Sequence, residues 1–190
     1  MASKRKGMGI VLSALFAALI GVMCFFHIPL PGGIPVVLQD MMAFLAGAAL
    51  GPFYGGIAVF IYIVLGCLGL PVFSGKAGLH IIVSGPTGGF IIGYFLSAIA
   101  IGLFLKFFLP QSNRDKIAKN YILIVLAYLV GTIILYTCGI AGFMIITAKS
   151  FVEAFAVCAI PFIPGCVVKL VLFAALTKTL RPLVYNYIWN

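Results

Sequence analysis

Apolar residues run together in six stretches, at about 8–27, 37–52, 55–70, 85–108, 120–146 and 164–185, and most charged residues stand at or between their ends. A helix needs roughly 20 such residues, at about 1.5 Å each, to cross a bilayer. The pattern therefore predicts six transmembrane helices. The second and third runs are short, and "LGPFYGG" (Leu50 to Gly56) reads as a tight turn between them, because Gly51-Pro52 and Gly55-Gly56 punctuate it. The first run follows "MASKRKG" and resembles a signal peptide at its start, but it is long enough to span and no small-residue cleavage site follows it, so it is read as the first helix.

Composition strengthens this picture. With 64% hydrophobic and 8% charged residues among 190, there is too little polar surface to coat a water-soluble globule. The expected fold class is an all-α membrane protein with a single membrane domain, residues 1–190, embedded in the lipid bilayer. The net charge of +9 does not point to nucleic acid, because the positive residues form no basic face interleaved with aromatics. Lys4, Arg5, Lys6, Lys106, Arg114, Lys116, Lys119, Lys178 and Arg181 all fall on one side of a six-span bundle, so the positive-inside rule makes that side, with both termini, cytoplasmic. The five cysteines stand singly in or beside apolar segments and show no metal-ligand or redox spacing; they are read as packing residues.

The opposite side carries His27 to Val37, Gly69 to Gly89 and Thr147 to Gly165, long apolar loops rich in Gly and Pro. Irregular backbone cannot face lipid unpaired, so these loops pack on protein or line a cavity. Lys169 lies one and a half turns into the sixth helix, where a lysine costs on the order of 2.5–3.5 kcal/mol on insertion scales. It meets a ligand, pairs with Asp40 or Glu153, the acids on that side, or snorkels to the interface; the ligand-facing reading is preferred. Phe162, Cys166, Phe173 and Leu176 share its helix face. Gln39 and Asp40 open the second helix, and Gln39 offers a donor and an acceptor suited to an amide-like or urea-like group. In "VSGPTGGF" (Val83 to Phe90), Ser84 reads as a helix cap, Thr87 as a second partner for free N–H groups, and Gly85, Gly88 and Gly89 as points of close approach by a helix or a ligand.

The second, fourth and sixth helices would all present their N-termini outward, where free N–H groups favour anions. With Lys169 they predict a pocket for a carboxylate-bearing ligand. A lysine turned to lipid, or bonded only to a protein carboxylate, would remove that assignment. On the first helix, Ala14, Ala17, Ala18 and Gly21 make a small-residue face for another helix, inside the bundle or in a separate protein. No catalytic arrangement stands at a recognisable spacing, and His27 and His80 are isolated. "GLPVFSGKAG" looks like a phosphate loop, but Ala77 stands where Ser or Thr should hold magnesium, so ATP-driven work would need another subunit.

"IPVVLQDMMAFLAGAALGPFYG" (Ile34 to Gly55), "GLPVFSGKAG" (Gly69 to Gly78), "GPTGGFIIGY" (Gly85 to Tyr94) and "FIPGCVVK" (Phe162 to Lys169) follow one another as in the biotin-specific S component of energy-coupling factor transporters, which the chain resembles over most of its length. The resemblance implies an S-component-like bundle in a bacterial-type plasma membrane that binds biotin from outside, needs no cofactor or metal, and works with a transmembrane coupling protein and two ATPase subunits. It makes Gln39, Asp40, Ser84, Thr87, Gly88, Tyr94, Cys166 and Lys169 the expected ligand-binding set, and Ala14 and Ala18 the expected docking residues. The ligand carboxylate is placed at Lys169 and the ureido group among Gln39, Asp40 and the Ser84 to Gly88 turn; exchanging head and tail fits the sequence equally. This chain has Cys166 where the family commonly has aspartate, and apolar Ile91 after its glycine block. The alternatives are an S component for another vitamin and, from a different class, an outer-leaflet membrane enzyme using Lys169 or Asp40.

Overall fold

The computed structural model describes residues 2–28, 36–109 and 117–188. Helix α1 (Ala2–Val22) ends in a short 3-10 turn, and strands β1 (His27–Ile28) and β2 (Val36–Val37) pair antiparallel with His27 opposite Val37. Then come α2 (Gln39–Cys67), α3 (His80–Val83), α4 (Gly88–Phe108), α5 (Ile117–Thr147), α6 (Phe151–Cys158) and α7 (Ile163–Ile188). Ile34 and Pro35 of the first motif, and the segment carrying Arg114 and Lys116, lie outside the described residues, as do the side chains of Lys4, Arg5 and Lys119.

Five stretches among the described residues are long and apolar enough to cross a membrane, the second being Gln39–Cys67. That stretch is two helices rather than one. Gly51 has φ 81° and ψ −179°, a conformation no other residue adopts cheaply, and Pro52 opens the second arm where its missing N–H is no loss. The chain reverses there: a Cβ on Gly55 would lie 2.6 Å from the Gly47 Cα, and Gln39 reaches the Tyr62 hydroxyl at 3.2 Å. The bundle thus has six passes, as the apolar runs predict, with a break of one residue in place of a seven-residue turn.

The two arms, Gln39–Leu50 and Pro52–Cys67, span roughly 18 and 24 Å at 1.5 Å per residue, less than the roughly 30 Å hydrocarbon core. A short first arm sets its polar start below the membrane surface. The segment around it is folded rather than irregular. Between α5 and α7, where the sequence suggests a loop, Ser150 and Glu153 form a capping box that starts α6: Glu153 N–H donates to Ser150 Oγ at 3.4 Å and Ser150 N–H to Glu153 Oε2 at 3.0 Å.

Arg181 decides the other end. Its Nη1 donates to the Ala48 carbonyl at 2.6 Å, and its Nη2 to those of Leu105 at 2.9 Å and Leu109 at 3.5 Å. These carbonyls belong to the C-terminal ends of the first α2 arm and of α4, where the peptide dipoles are negative; Pro52 leaves the Ala48 carbonyl without an i+4 donor, and the Leu105 carbonyl is shared with the Leu109 N–H at 3.1 Å. The first arm of α2, α4 and α7 therefore run parallel. Helix α1 runs against them, with Ser13 Oγ bonded to the Tyr54 carbonyl at 2.9 Å and the Ile20 carbonyl near its end accepting from Gln39 at 3.1 Å, so the start of α1 and the end of α7 share the Gly51 end. Large apolar side chains such as Phe107, Ile133, Ile145 and Val152 point outward all round the bundle, as lipid requires.

Replacing Gly51 by valine should destabilise the bundle by about 1–3 kcal/mol, the cost of a side chain held in a glycine-only backbone region. Thermal unfolding in detergent measures this, with Phe53→Ala, at an exposed neighbouring position, as the control; equal midpoints for Gly51→Val and wild type would show that the reversal does not depend on glycine.

Candidate functional site

Asp40 is the second residue of α2, and its Oδ1 accepts the Met41 backbone N–H at 2.9 Å. Its charge faces the positive end of its own helix dipole. Lys169 reaches it from α7 and donates through Nζ to both carboxylate oxygens, at 2.8 and 2.7 Å. Lys169 is 4% exposed. At that burial, attraction and hydrogen bonding have to offset the loss of water around both ions, which two short contacts to one carboxylate can do.

The pair lines a narrow cavity among α2, α4, α5 and α7. Each of the four motif blocks supplies part of the wall: Val37, Gln39 and Asp40 from the first, Phe73 and Ser74 from the second, Thr87, Phe90, Ile91 and Tyr94 from the third, Phe162 and Lys169 from the fourth. Tyr62, Leu135 and Tyr136 complete it. The room open to the centre of a water-sized sphere is about 40 Å³. Two charges, three tyrosines, Gln39, Ser74 and Thr87 stand among apolar side chains, an arrangement suited to a small solute with both polar and apolar parts.

Gln39, Asp40, Thr87, Tyr94 and Lys169 of the expected set thus come together, while Ser84, Gly88 and Cys166 stand outside the lining. Ser84 is exposed and ends α3, donating its N–H to the His80 carbonyl at 2.9 Å. Helix α4 begins at Gly88 with Thr87 in the capping position, and no side chain caps it. A Cβ at Gly88 would overlap the Ile82 carbonyl, and one at Gly89 the Cys138 carbonyl, so these glycines serve the close approach of α3 and α5. The Cys166 sulfur lies 3.4 Å from the Tyr136 hydroxyl, and its carbonyl accepts from the Tyr128 hydroxyl at 3.2 Å. Gln39 lines the cavity with its donors already engaged: Nε2 is within bonding distance of the Val72 carbonyl (2.8 Å), the Ile20 carbonyl (3.1 Å) and the Tyr62 hydroxyl (3.2 Å). It ties α1 and the loop after α2 to the start of α2.

This geometry counts against a ligand carboxylate at Lys169. Among the described residues Lys169 is bonded to Asp40 alone, and an incoming carboxylate would meet a like charge beside the lysine. Glu153, the other acid considered for Lys169, is exposed and spent on the α6 cap. Sequence reading missed Tyr62, Phe73, Phe90, Leu135 and Tyr136. In Tyr62 and Tyr136, a hydroxyl inside a long apolar run was the one available signal.

Fold and cavity together define a polytopic membrane protein built around one small-solute pocket. A family profile, the BioY family, matches residues 1–186, and the chain belongs to that family. It is 38% identical over 181 residues to "Biotin transporter BioY" of Rhodobacter capsulatus, covering 90% of this chain and 92% of the relative. It is 33% identical over 175 residues to a protein of the same name from Thermotoga maritima, covering 92% and 96%. Among solved structures it is similar to the S-component for biotin from an ECF-type ABC transporter, at a TM-score of 0.83 and 28% identity, covering 96% of this chain and 95% of that one. The chain is therefore a multi-pass protein of a bacterial-type plasma membrane with the S-component fold, and a transport component, so the enzyme alternative is set aside.

Removing one partner of the ion pair, by Lys169→Met or Asp40→Leu, should destabilise the protein by about 3–5 kcal/mol, and removing both should cost less than either alone. A double-mutant cycle on detergent unfolding checks this; additive losses would mean the two charges are not coupled.

Proposed function

We propose that the chain is the substrate-binding component of a biotin uptake transporter, which captures biotin in the Asp40–Lys169 cavity and hands it to an ATP-driven coupling module. The observation that carries this reading is that four motif blocks spread over the sequence meet around one cavity. The positive-inside distribution of Lys and Arg puts the Arg181 end in the cytoplasm and opens the cavity to the outside.

Biotin has a ureido head with two N–H donors and one carbonyl, a fused sulfur ring and a valerate tail. A neutral donor–acceptor head matches a neutralised Asp–Lys pair: Asp40 accepts an N–H while Lys169 donates to the carbonyl. The tail carboxylate is repelled by Asp40, so it lies toward Phe162, away from the pair. This reverses the arrangement with the carboxylate at Lys169. Tyr62, Phe73, Phe90 and Tyr94 supply aromatic surface for the fused rings. With about 40 Å³ of room for water-sized spheres, the cavity takes the rings by moving its walls apart.

The coupling partners are a transmembrane protein and two ATPase subunits, and the docking surface is α1. Ala14 and Ala18 are exposed on it, whereas Ser13 and Ala17 face the bundle. Exposed alanines set among Val11, Leu15 and Val22 make a shallow face that another helix can approach closely.

Purified protein should bind labelled biotin saturably; absence of binding would turn the reading toward another vitamin. Lys169→Ala should weaken biotin and neutral biotinamide alike, each on the order of tenfold or more, the worth of a charge-assisted hydrogen bond. A markedly larger loss for biotin would return the carboxylate to the lysine. Large residues at Ala14 and Ala18 should leave biotin binding intact while abolishing ATP-dependent uptake; undiminished uptake would remove α1 as the docking face.

A further inference from the structure

Tyr136 belongs to two spaces. On one side its ring lines the Asp40–Lys169 cavity. On the other it lines a larger groove, about 420 Å³ in the same measure, between Ile133, Ile140, Ala141 and Met144 of α5 and Phe151 and Phe155 of α6. Tyr136 is the one residue the two spaces share. The groove is almost wholly apolar; Thr137 also borders it, but its hydroxyl is spent on the Ile133 carbonyl at 2.7 Å. Its hydroxyl meets the Cys166 sulfur, a weak partner, at 3.4 Å, and its ring stands edge-to-face with that of Phe90, centroids 6.2 Å apart.

Position along α7 gives this partition its meaning. Cys166 is three residues before Lys169, so the Tyr136 hydroxyl meets α7 roughly 4.5 Å along the helix axis from Lys169, on the Phe162 side. A solute with its head on Asp40 and Lys169 has its tail at that level. We infer that Tyr136 is the residue that sets ligand length: its ring closes the cavity against an apolar subsite between α5 and α6 that would otherwise take an alkyl extension of the ligand tail. The inference rests on the biotin reading and adds to it a specificity determinant and the chemistry of the space behind it, a chain of methylenes with no charge. The capping box of Ser150 and Glu153 holds Phe151 and Phe155 as the far wall.

The test is competition against labelled biotin by biotinamide and by its N-hexyl derivative, on purified wild type, Tyr136→Ala, Tyr136→Phe and Tyr136→Ala with Ala141→Trp. Biotinamide is the reference, so that only the alkyl chain differs. Wild type should disfavour the hexyl derivative by on the order of tenfold or more, the scale on which a closed pocket rejects added methylenes. Tyr136→Ala should bring the two ligands to within about threefold, Tyr136→Phe should keep the wild-type ratio because the wall is steric, and tryptophan at 141 should fill the groove and restore discrimination. A ratio near one in wild type, an unchanged ratio in Tyr136→Ala, or a gain that survives Ala141→Trp would each overturn the inference while leaving biotin binding in place. Should Tyr136→Ala fail to fold, Tyr136→Leu opens the same wall. A wild type that binds no biotin would defeat the functional reading, and this inference with it.

Discussion

Two charges withdrawn from water need a partner, and the contact between Lys169 and Asp40 supplies it here. It ties the start of α2 to α7 at the depth where the cavity forms, and it leaves the site neutral, polar and directional. A buried pair of this kind adds little net stability over an apolar replacement, yet it becomes costly once one partner is lost. Its retention at the cavity wall is therefore better explained by recognition than by stability. The same helix places a second cation, Arg181, at its other end and satisfies it differently, with carbonyls from the ends of two helices in place of a carboxylate. One cation marks the site and the other closes the backbone at the opposite end.

Depth depends on helix length. Because Gly51 reverses the chain in one residue, the first arm of α2 is only about 18 Å long, and its polar start lies within the hydrocarbon layer. Polar groups at that depth require a roof. The β1–β2 pairing, the Phe73–Lys76 bridge, α3, α6 and the 3-10 turn before α7 supply one whose backbone groups are largely paired among themselves. Gln39 fastens part of this roof by holding α1 and the loop at Val72 to α2, so a residue that looks like a ligand contact in the sequence is mainly a tie.

The lining also gives the departures at Cys166 and Ile91 a setting. Cys166 faces Tyr136 rather than the cavity, and Ile91 lines the cavity as one more apolar wall. With no acid at 166, Asp40 is the carboxylate that answers Lys169, and the charge in the pocket is confined to that one pair.

Apolar run lengths and the spacing of Gly and Pro determined the number of passes and their approximate limits, because the cost of unpaired backbone in lipid leaves a chain of this composition few alternatives. The S-x-x-E capping signal for α6 stood in the sequence too, and was hidden only by the apolar loop around it. Tertiary structure alone decided which acid Lys169 takes, that Gly88 and Gly89 bring helices together instead of admitting a ligand, and that Tyr62 and Tyr136 line the cavity. Each of those outcomes depends on the distance between segments far apart in the chain. Hydropathy and periodicity report what a residue prefers as its surroundings, and only the packed bundle determines which neighbour provides them.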